Sequence, residues 1–118
     1  MSFEERIRVA VSCPDLAELS PVPGAGDVFE LDGERVQRLH YAGLVAADTY
    51  YGAWMTDLIT QCRGAHEPQE ERVFAAVLET LPARPTMIEL GGYWCFYTIW
   101  VGLQRPGAEQ VVIEPIAE

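Results

Sequence analysis

The stretch TMIELGGYWCFYTIW, residues 86–100, constrains the fold more than any other part of this chain. Its first five residues have the character of a buried strand, and two glycines interrupt it. The run that follows is apolar and aromatic and predicts a helix over 94–104. After a loop, VVIEP at 111–115 predicts a second buried strand. A strand, a glycine turn, a helix and a strand in this order predict a βαβ unit with parallel strands, so the predicted fold class is α/β.

The first part of the chain predicts a helix and a hairpin. Residues 2–12 predict a short helix, and Asp32-Gly33 predicts a tight hairpin turn within 28–39 because a type I′ turn needs positive φ at both central positions. Part of 43–52 is compatible with a third strand, although that segment is ambiguous.

Two helices are predicted between the hairpin and the glycine turn. Residues 53–64 predict one that stops at Gly64, with Thr56 and Asp57 on its solvated side. A second begins near Pro68, whose missing N–H costs nothing in a first helical turn. Its apolar stripe comprises Val73, Phe74, Val77, Leu78 and Leu81.

The charge composition excludes some classes of partner. The chain has 18 acidic and 8 basic residues, a net charge of −10, and every basic residue is arginine. A chain this acidic is poorly suited to bind nucleic acid or an anionic membrane through its overall field. The acidity is therefore interpreted as a contribution to solubility, and a small molecule is the expected ligand.

The cysteines and the first residues bear on the cellular compartment. The chain has three cysteines, Cys13, Cys62 and Cys95. Their odd number, their wide spacing and the absence of a Cys-x-x-Cys pair favour free thiols over a disulfide framework or a zinc site. The charged start MSFEERIRVAVS has no run long enough for a signal peptide, and the apolar stretch near residue 100 is too short to span a bilayer. A cytoplasmic protein is expected.

The glycine turn is the predicted ligand site. A βα turn at the carboxyl edge of a parallel sheet is where such folds bind ligands, and Gly91-Gly92 would let the backbone approach one closely. Glu114 ends the next strand, where a carboxylate can accept hydrogen bonds from both hydroxyls of a ribose. The pattern predicts a cofactor that contains a nucleoside.

The residues of the turn favour one cofactor over another. The string Gly91-Gly92-Tyr93-Trp94-Cys95-Phe96 lacks the second and third glycines of a dinucleotide fingerprint. Glu89, just before the turn, would repel a pyrophosphate but suits the cationic S-adenosylmethionine, acting directly or through the turn backbone. An NAD-binding fragment is the weaker alternative.

The sequence MIELGGYWCFYTIW followed by VVIEP resembles the first two motifs of class I S-adenosylmethionine (SAM)-dependent methyltransferases, and most of all the FkbM-type group. The segment HEPQEERVF resembles the helix that precedes the first motif in this group. The resemblance covers residues 64–118 and implies a Rossmann-like SAM-binding domain. Cys95 stands where the family has its last glycine, and Tyr93 replaces a small or amide residue.

The resemblance also implies roles for individual residues. Glu89 would anchor the turn near the methionine end of the cofactor, Gly91 and Gly92 would approach it, and Glu114 would hold the ribose. Pro115 and Ile116 would flank the adenine. The cofactor-binding set is therefore expected to be Glu89, Gly91, Gly92, Tyr93, Trp94, Glu114, Pro115 and Glu70.

Several residues carry weaker signals. Glu70 and Glu67 begin a helix, and either could face the methionine end of the cofactor; solvated helix-start charges are the alternative. His66 and His40 are more typical of structural histidines. Cys95 is more typical of core packing than of a nucleophile, because no base is placed beside it.

The domain prediction follows the resemblance. Residues 1–63 are expected to form a leader with the hairpin, and residues 64–118 the start of an incomplete SAM-binding domain from the N-terminal part of a methyltransferase. The substrate would be a hydroxyl of a small metabolite or sugar, and no catalytic base is identified. The rival hypothesis is a non-catalytic binding module that dimerises to cover the open sheet edge.

Overall fold

The computed structural model describes residues 1–115, so Ile116, expected beside the adenine, lies outside the described residues. The fold is mixed α/β, as predicted, with one antiparallel sheet and one parallel sheet. The elements in chain order are helix α1 (Phe3–Val11), a short 3-10 helix (Pro14–Glu18), strands β1 (Val28–Leu31), β2 (Glu34–Arg38) and β3 (Leu44–Ala46), helices α2 (Ala53–Gln61) and α3 (Pro68–Thr80), strand β4 (Thr86–Leu90), helix α4 (Phe96–Gln104) and strand β5 (Glu109–Ile113).

The chain divides into two compact units, Met1–Ala75 and Ala76–Glu118, called the first and second unit below. The division falls inside α3. The expected boundary at residue 64 marks a functional domain and stays a prediction. No helix of the described residues is long and apolar enough to cross a membrane.

The first unit contains the predicted hairpin. Strands β1 and β2 pair antiparallel, with Leu31 opposite Glu34 at the turn. Asp32 and Gly33 have φ values of 51° and 83°, which confirms the type I′ turn. The ambiguous segment does supply a third strand, because β3 pairs antiparallel with β2.

A buried glutamine joins this sheet to helix α2. The side chain of Gln37 is 1% exposed, and its Nε2 donates to the backbone oxygens of Gly26 and Thr56 at 3.0 and 2.9 Å. Thr56 is itself buried, and its Oγ1 accepts from the backbone N–H of Asp48. The prediction that Thr56 lies on a solvated face is wrong, because these polar contacts draw that face of α2 onto the sheet; Asp57 is exposed, as expected.

Helix α2 ends one residue away from the predicted cap. The N–H of Arg63 donates to Thr60 O at 3.1 Å and the N–H of Gly64 to Ile59 O at 2.8 Å, which is a Schellman motif. Arg63, at φ 53°, therefore takes the C′ position expected for Gly64. A Cβ at Gly64 would lie 2.3 Å from the backbone nitrogen of His40, so glycine is needed there for a close approach of two backbones.

The second unit contains the predicted βαβ unit. Strands β4 and β5 are parallel, with Glu89 opposite Val112 and Leu90 opposite Ile113. Helix α4 begins at Phe96, two residues later than predicted, because Tyr93 and Cys95 have positive φ values of 27° and 60°.

The prediction that β4 and β5 are buried strands is wrong for one face of the parallel sheet, which is exposed. Exposure alternates along β4 and β5, with Met87, Glu89, Gln110 and Val112 half-buried on the face toward α4. The opposite face is exposed over Ile88, Leu90, Val111 and Ile113. The apolar stripe of α3 is also only partly buried, because Leu78 is 3% exposed whereas Val73 and Val77 are exposed.

Candidate functional site

The predicted glycine turn links the carboxyl end of β4 to helix α4. The N–H of Gly91 donates to Ile113 O at 2.7 Å, so the parallel pairing continues one step past the end of β4. Gly91 has φ 67°, and no described atom lies within 4 Å of the position where its Cβ would stand. The backbone at Gly91 is therefore open to a close approach from outside.

Gly92 has a different role from its neighbour. A Cβ there would lie 2.5 Å from Val112 Cγ1 and 3.4 Å from Glu89 Cδ. Gly92 is buried, and its missing side chain lets the turn pack against β5. Internal packing thus requires this glycine, whatever binds at the turn.

Glu89 holds the start of helix α4. Its half-buried Oε2 accepts from the backbone N–H of Thr98 at 3.0 Å and from the Thr98 hydroxyl. A carboxylate at a helix N-terminus satisfies an otherwise unpaired N–H and interacts favourably with the helix dipole. It also places negative charge where a dinucleotide fold would bind its pyrophosphate.

Glu114 holds the glycine turn from the end of strand β5. It follows β5 directly, and its Oε2 accepts from the backbone N–H of Tyr93 at 2.9 Å. A carboxylate has about four lone-pair sites, so one such bond is compatible with further hydrogen bonds from hydroxyl groups. Two glutamates near the carboxyl ends of adjacent parallel strands therefore contact this region: Glu114 contacts the turn, and Glu89 contacts the first turn of α4.

The turn carries two aromatic side chains and a cysteine. The Tyr93 ring is exposed and lies 6.4 Å from the half-buried Trp94 ring. Cys95 occupies the N-cap of α4 without a side-chain cap bond. Tyr93 and Cys95 are non-glycine residues at positive φ, a strained conformation that is concentrated at functional sites.

The Cys95 thiol has the wrong electrostatics for a nucleophile. Partial burial, together with the negative charges of Glu89 and Glu114, raises the pKa of this thiol. The protonated form is unreactive, which agrees with the interpretation that Cys95 is not catalytic. It is half-buried at the helix start.

The two remaining residues of the predicted cofactor-binding set, Pro115 and Glu70, lie outside the glycine turn. Pro115 is exposed beside Glu114. Glu70 is exposed in the first turn of α3 and belongs to the first unit, so its contact with a cofactor stays a prediction.

A second cluster was missed at the sequence level. Glu71 is fully buried, and its Oε1 lies 2.8 Å from His66 Nδ1 and accepts from the His66 backbone N–H at 3.2 Å. A signal was present, because Pro68 fixes the helix start and a glutamate in the first turn can reach back to an N–H just before the helix.

Comparison of the chain with family models, curated proteins and solved structures gives no match. The functional interpretation therefore rests on the sequence resemblance and on the chemistry of the described residues.

Proposed function

We propose that residues 64–115 provide the cofactor-binding part of a SAM-dependent methyltransferase with a Rossmann-like domain. The observation that carries the proposal is the pair of glutamates, Glu89 and Glu114, which bind the backbone N–H groups of Thr98 and Tyr93. The acceptor would be a hydroxyl of a small metabolite or sugar. The sequence resemblance to the FkbM-type group supports the same assignment.

The electrostatics of the turn favour SAM over a dinucleotide. A pyrophosphate would need free N–H groups at the start of α4, but the Thr98 N–H already donates to the Glu89 carboxylate. Two negative charges close to the turn would repel phosphate, whereas they attract the sulfonium and ammonium groups of SAM.

Each residue has a defined part in this proposal. Gly91 offers open backbone to the ligand, and Glu114 accepts hydrogen bonds from the ribose hydroxyls while it holds Tyr93. Pro115 and the aromatic rings of Tyr93 and Trp94 supply apolar contacts for the nucleoside. Glu89 acts through the helix start.

Catalysis in this proposal is mainly positioning. SAM supplies an electrophilic methyl group when it is bound. The residues of the turn would hold the cofactor in one orientation, and fixing two reactants in line lowers the entropic barrier of their reaction.

The proposal is tested by calorimetric titration of the chain with SAM, S-adenosylhomocysteine and NAD. We expect saturable binding of the first two alone. Glu114→Gln should weaken S-adenosylhomocysteine binding about tenfold, because charged acceptors make the stronger hydrogen bonds to hydroxyls. Glu109→Gln is the matched control, since Glu109 is an exposed acid at the opposite end of β5.

Two results would contradict the proposal. One is a Gly91→Val variant that binds S-adenosylhomocysteine as tightly as the parent, because a branched side chain would occupy the open backbone. The other is binding of NAD with equal affinity.

A non-catalytic module that dimerises through the parallel sheet is a second candidate. It is favoured by the exposed apolar face of β4 and β5, where Ile88 and Leu90 are 62% and 74% exposed. Parallel sheets normally have both faces covered, so such a face is suited to burial against a second copy of the chain.

A further inference from the structure

The first unit contains a pocket of about 900 Å³ with an aromatic wall. Phe3 of α1 stacks on Trp54 of α2 with ring centroids 4.7 Å apart and an interplanar angle of 9°. The Tyr51 ring lies 6.2 Å from the Trp54 ring and extends this wall. A volume of this size is within the range of small-molecule sites.

Two rings of the aromatic wall keep a large exposed surface. Phe3 is 58% exposed and Tyr51 is 67% exposed, and both line the pocket. Phenylalanine is among the residue types most often buried, so its exposure beside a second exposed ring is unusual. Exposed apolar surface at a pocket is typical of a site that a ligand covers.

The backbone holds Tyr51 in this exposed position at an energetic cost. Tyr51 has φ 55°, an uncommon value for a bulky side chain. Gly52, at φ 87°, follows it and is the N-cap of α2. Strain of this kind is concentrated in segments that position side chains for binding.

The polar end of the pocket carries a carboxylate with acidic neighbours. Glu67 lines the pocket, and its side chain is 47% exposed. Partial burial raises the pKa of Glu67, and the negative charges of Glu70 and Glu71 raise it further, whereas His66 lowers it. A cation bound near Glu67 would offset the repulsion among these carboxylates.

The imidazole at the same end is already engaged. His66 Nδ1 lies 2.8 Å from Glu71 Oε1, and His66 Nε2 lies 3.5 Å from Glu67 Oε2. Both ring nitrogens therefore face carboxylates. A ligand of this pocket has few polar partners for its own N–H or O–H groups, and burying such groups without partners is unfavourable.

The charge of the molecule decides the sign of the ligand. Arg6 and the first residue, Met1, bring positive charge to the lining, and Glu67 opposes them. The net charge of the chain is −10, and most of its acidic residues belong to the first unit. A field of this sign attracts cations, and the electron-rich faces of aromatic rings attract them too.

We propose that this pocket binds a small quaternary ammonium ion whose cationic head packs on the exposed rings of Tyr51 and Phe3, with Glu67 as the opposing charge. Such an ion has no N–H group, so it needs no free hydrogen-bond acceptor and interacts through the ring faces. Its methyl groups suit apolar lining side chains such as Met55 and Leu58. The inference does not rest on the proposed SAM site, because it concerns residues of the first unit alone.

The first test compares three ligands of nearly equal shape on the unchanged protein. Choline is the cation, dimethylbutanol replaces its quaternary nitrogen with carbon, and dimethylbutanoate is an anion with the same branched end. We expect titration followed by NMR to show choline binding about tenfold more tightly than dimethylbutanol, with dimethylbutanoate the weakest. Equal affinities, tightest binding of the anion, or no saturable binding of choline would overturn the proposal.

A pair of substitutions at Tyr51 separates attraction of the cation to the ring from ordinary apolar contact. Tyr51→Leu keeps an apolar side chain but removes the ring, so it should weaken choline about fivefold and leave dimethylbutanol unchanged. Tyr51→Phe keeps the ring and should bind like the parent. A Tyr51→Leu protein that remains folded by circular dichroism and binds choline with parental affinity would refute the role of the ring.

A second pair tests the opposing charge. Glu67→Gln should weaken choline about threefold, the effect of one partly exposed ion pair, and leave dimethylbutanol unchanged. Glu34→Gln removes the same charge at an exposed position in β2 and is the matched control, which should bind like the parent. An equal loss of choline affinity in both variants would attribute the attraction to net charge alone and exclude Glu67 from the site.

Discussion

Gly91 and Gly92 are adjacent in the chain but are constrained by different physical effects. Gly91 needs its positive φ and has open space beside it. Gly92 has no positive φ to explain it, but Val112 occupies the space where a side chain would stand. The sequence pattern gave both the same role, that of approaching a ligand.

This difference predicts two separable costs. Gly92→Ala should lower the free energy of unfolding by about 1–3 kcal/mol through overpacking against Val112. Gly91→Ala should lower it by about 1–2 kcal/mol, the cost of a left-handed conformation for a residue with a Cβ. Urea denaturation measures both.

A companion substitution separates the two causes. Trimming Val112 to Ala makes room beside Gly92, so the Gly92→Ala change should cost much less in a Val112→Ala background, while the Gly91→Ala cost stays the same. An unchanged Gly92→Ala penalty in that background would show that contact with Val112 is not its cause.

The residues that form the candidate site were predictable to different degrees. Glu89 and Glu114 could be placed at the sheet edge because strand ends and turns leave local signals. Their hydrogen bonds to Thr98 and Tyr93 could not, because those bonds depend on the start of α4 and the register of β5.

At the level of single elements, the end of helix α2 offers a clear case of local strain. Arg63 has left-handed geometry at the C′ position, where glycine is the usual residue, and its side chain is exposed. The following Gly64 is required for the close approach to His40. Two consecutive positions, 63 and 64, therefore favour glycine, but only position 64 has one.

Arg63→Gly should therefore stabilise the protein. We expect a gain of about 1 kcal/mol, because relief of the left-handed conformation exceeds the added flexibility of the unfolded chain. A thermal melt should show the midpoint rising by about 4–8 °C for a unit of this size. Arg63→Ala keeps the strain and serves as the control; an equal rise with alanine would attribute the effect to the loss of arginine instead.

Helix starts were less predictable than helix existence. The apolar run after the glycines correctly indicated a helix, and the parallel strands on both sides followed. Helix α4 begins two residues later than predicted because Tyr93 and Cys95 have positive φ values. Tyrosine and cysteine rarely adopt such values, so the sequence did not predict this conformation.

At the scale of the whole molecule, the notable feature is that one face of the parallel sheet exposes apolar side chains to solvent. Val111 and Ile113 are 55% and 52% exposed and lie in register with Ile88 and Leu90. Together they form a contiguous patch of four aliphatic side chains on adjacent strands. Burial of such a patch is favourable in proportion to its area.

The assembly candidate makes a prediction about this patch. Sedimentation should show a dimer, and the double substitution Ile88→Thr with Val111→Thr should raise its dissociation constant by at least about tenfold, because threonine keeps the strand preference but loses apolar area. Leu103→Gln, an exposed apolar position on α4, is the control. A parent protein that sediments as a monomer at high concentration would rule out this candidate.

The sequence by itself determined most of the elements of this protein, but not the 3-10 helix at Pro14–Glu18, and it left the segment of β3 ambiguous. Periodicity, turn residues and prolines are local signals, and they predicted the hairpin, the helices and the parallel βαβ unit. Tertiary structure alone decided which faces are covered, that Gly92 packs on Val112 and that Glu71 holds His66 beside an aromatic pocket. The physical reason is that burial and side-chain pairing depend on which elements meet in space, and local residue preferences carry no record of that.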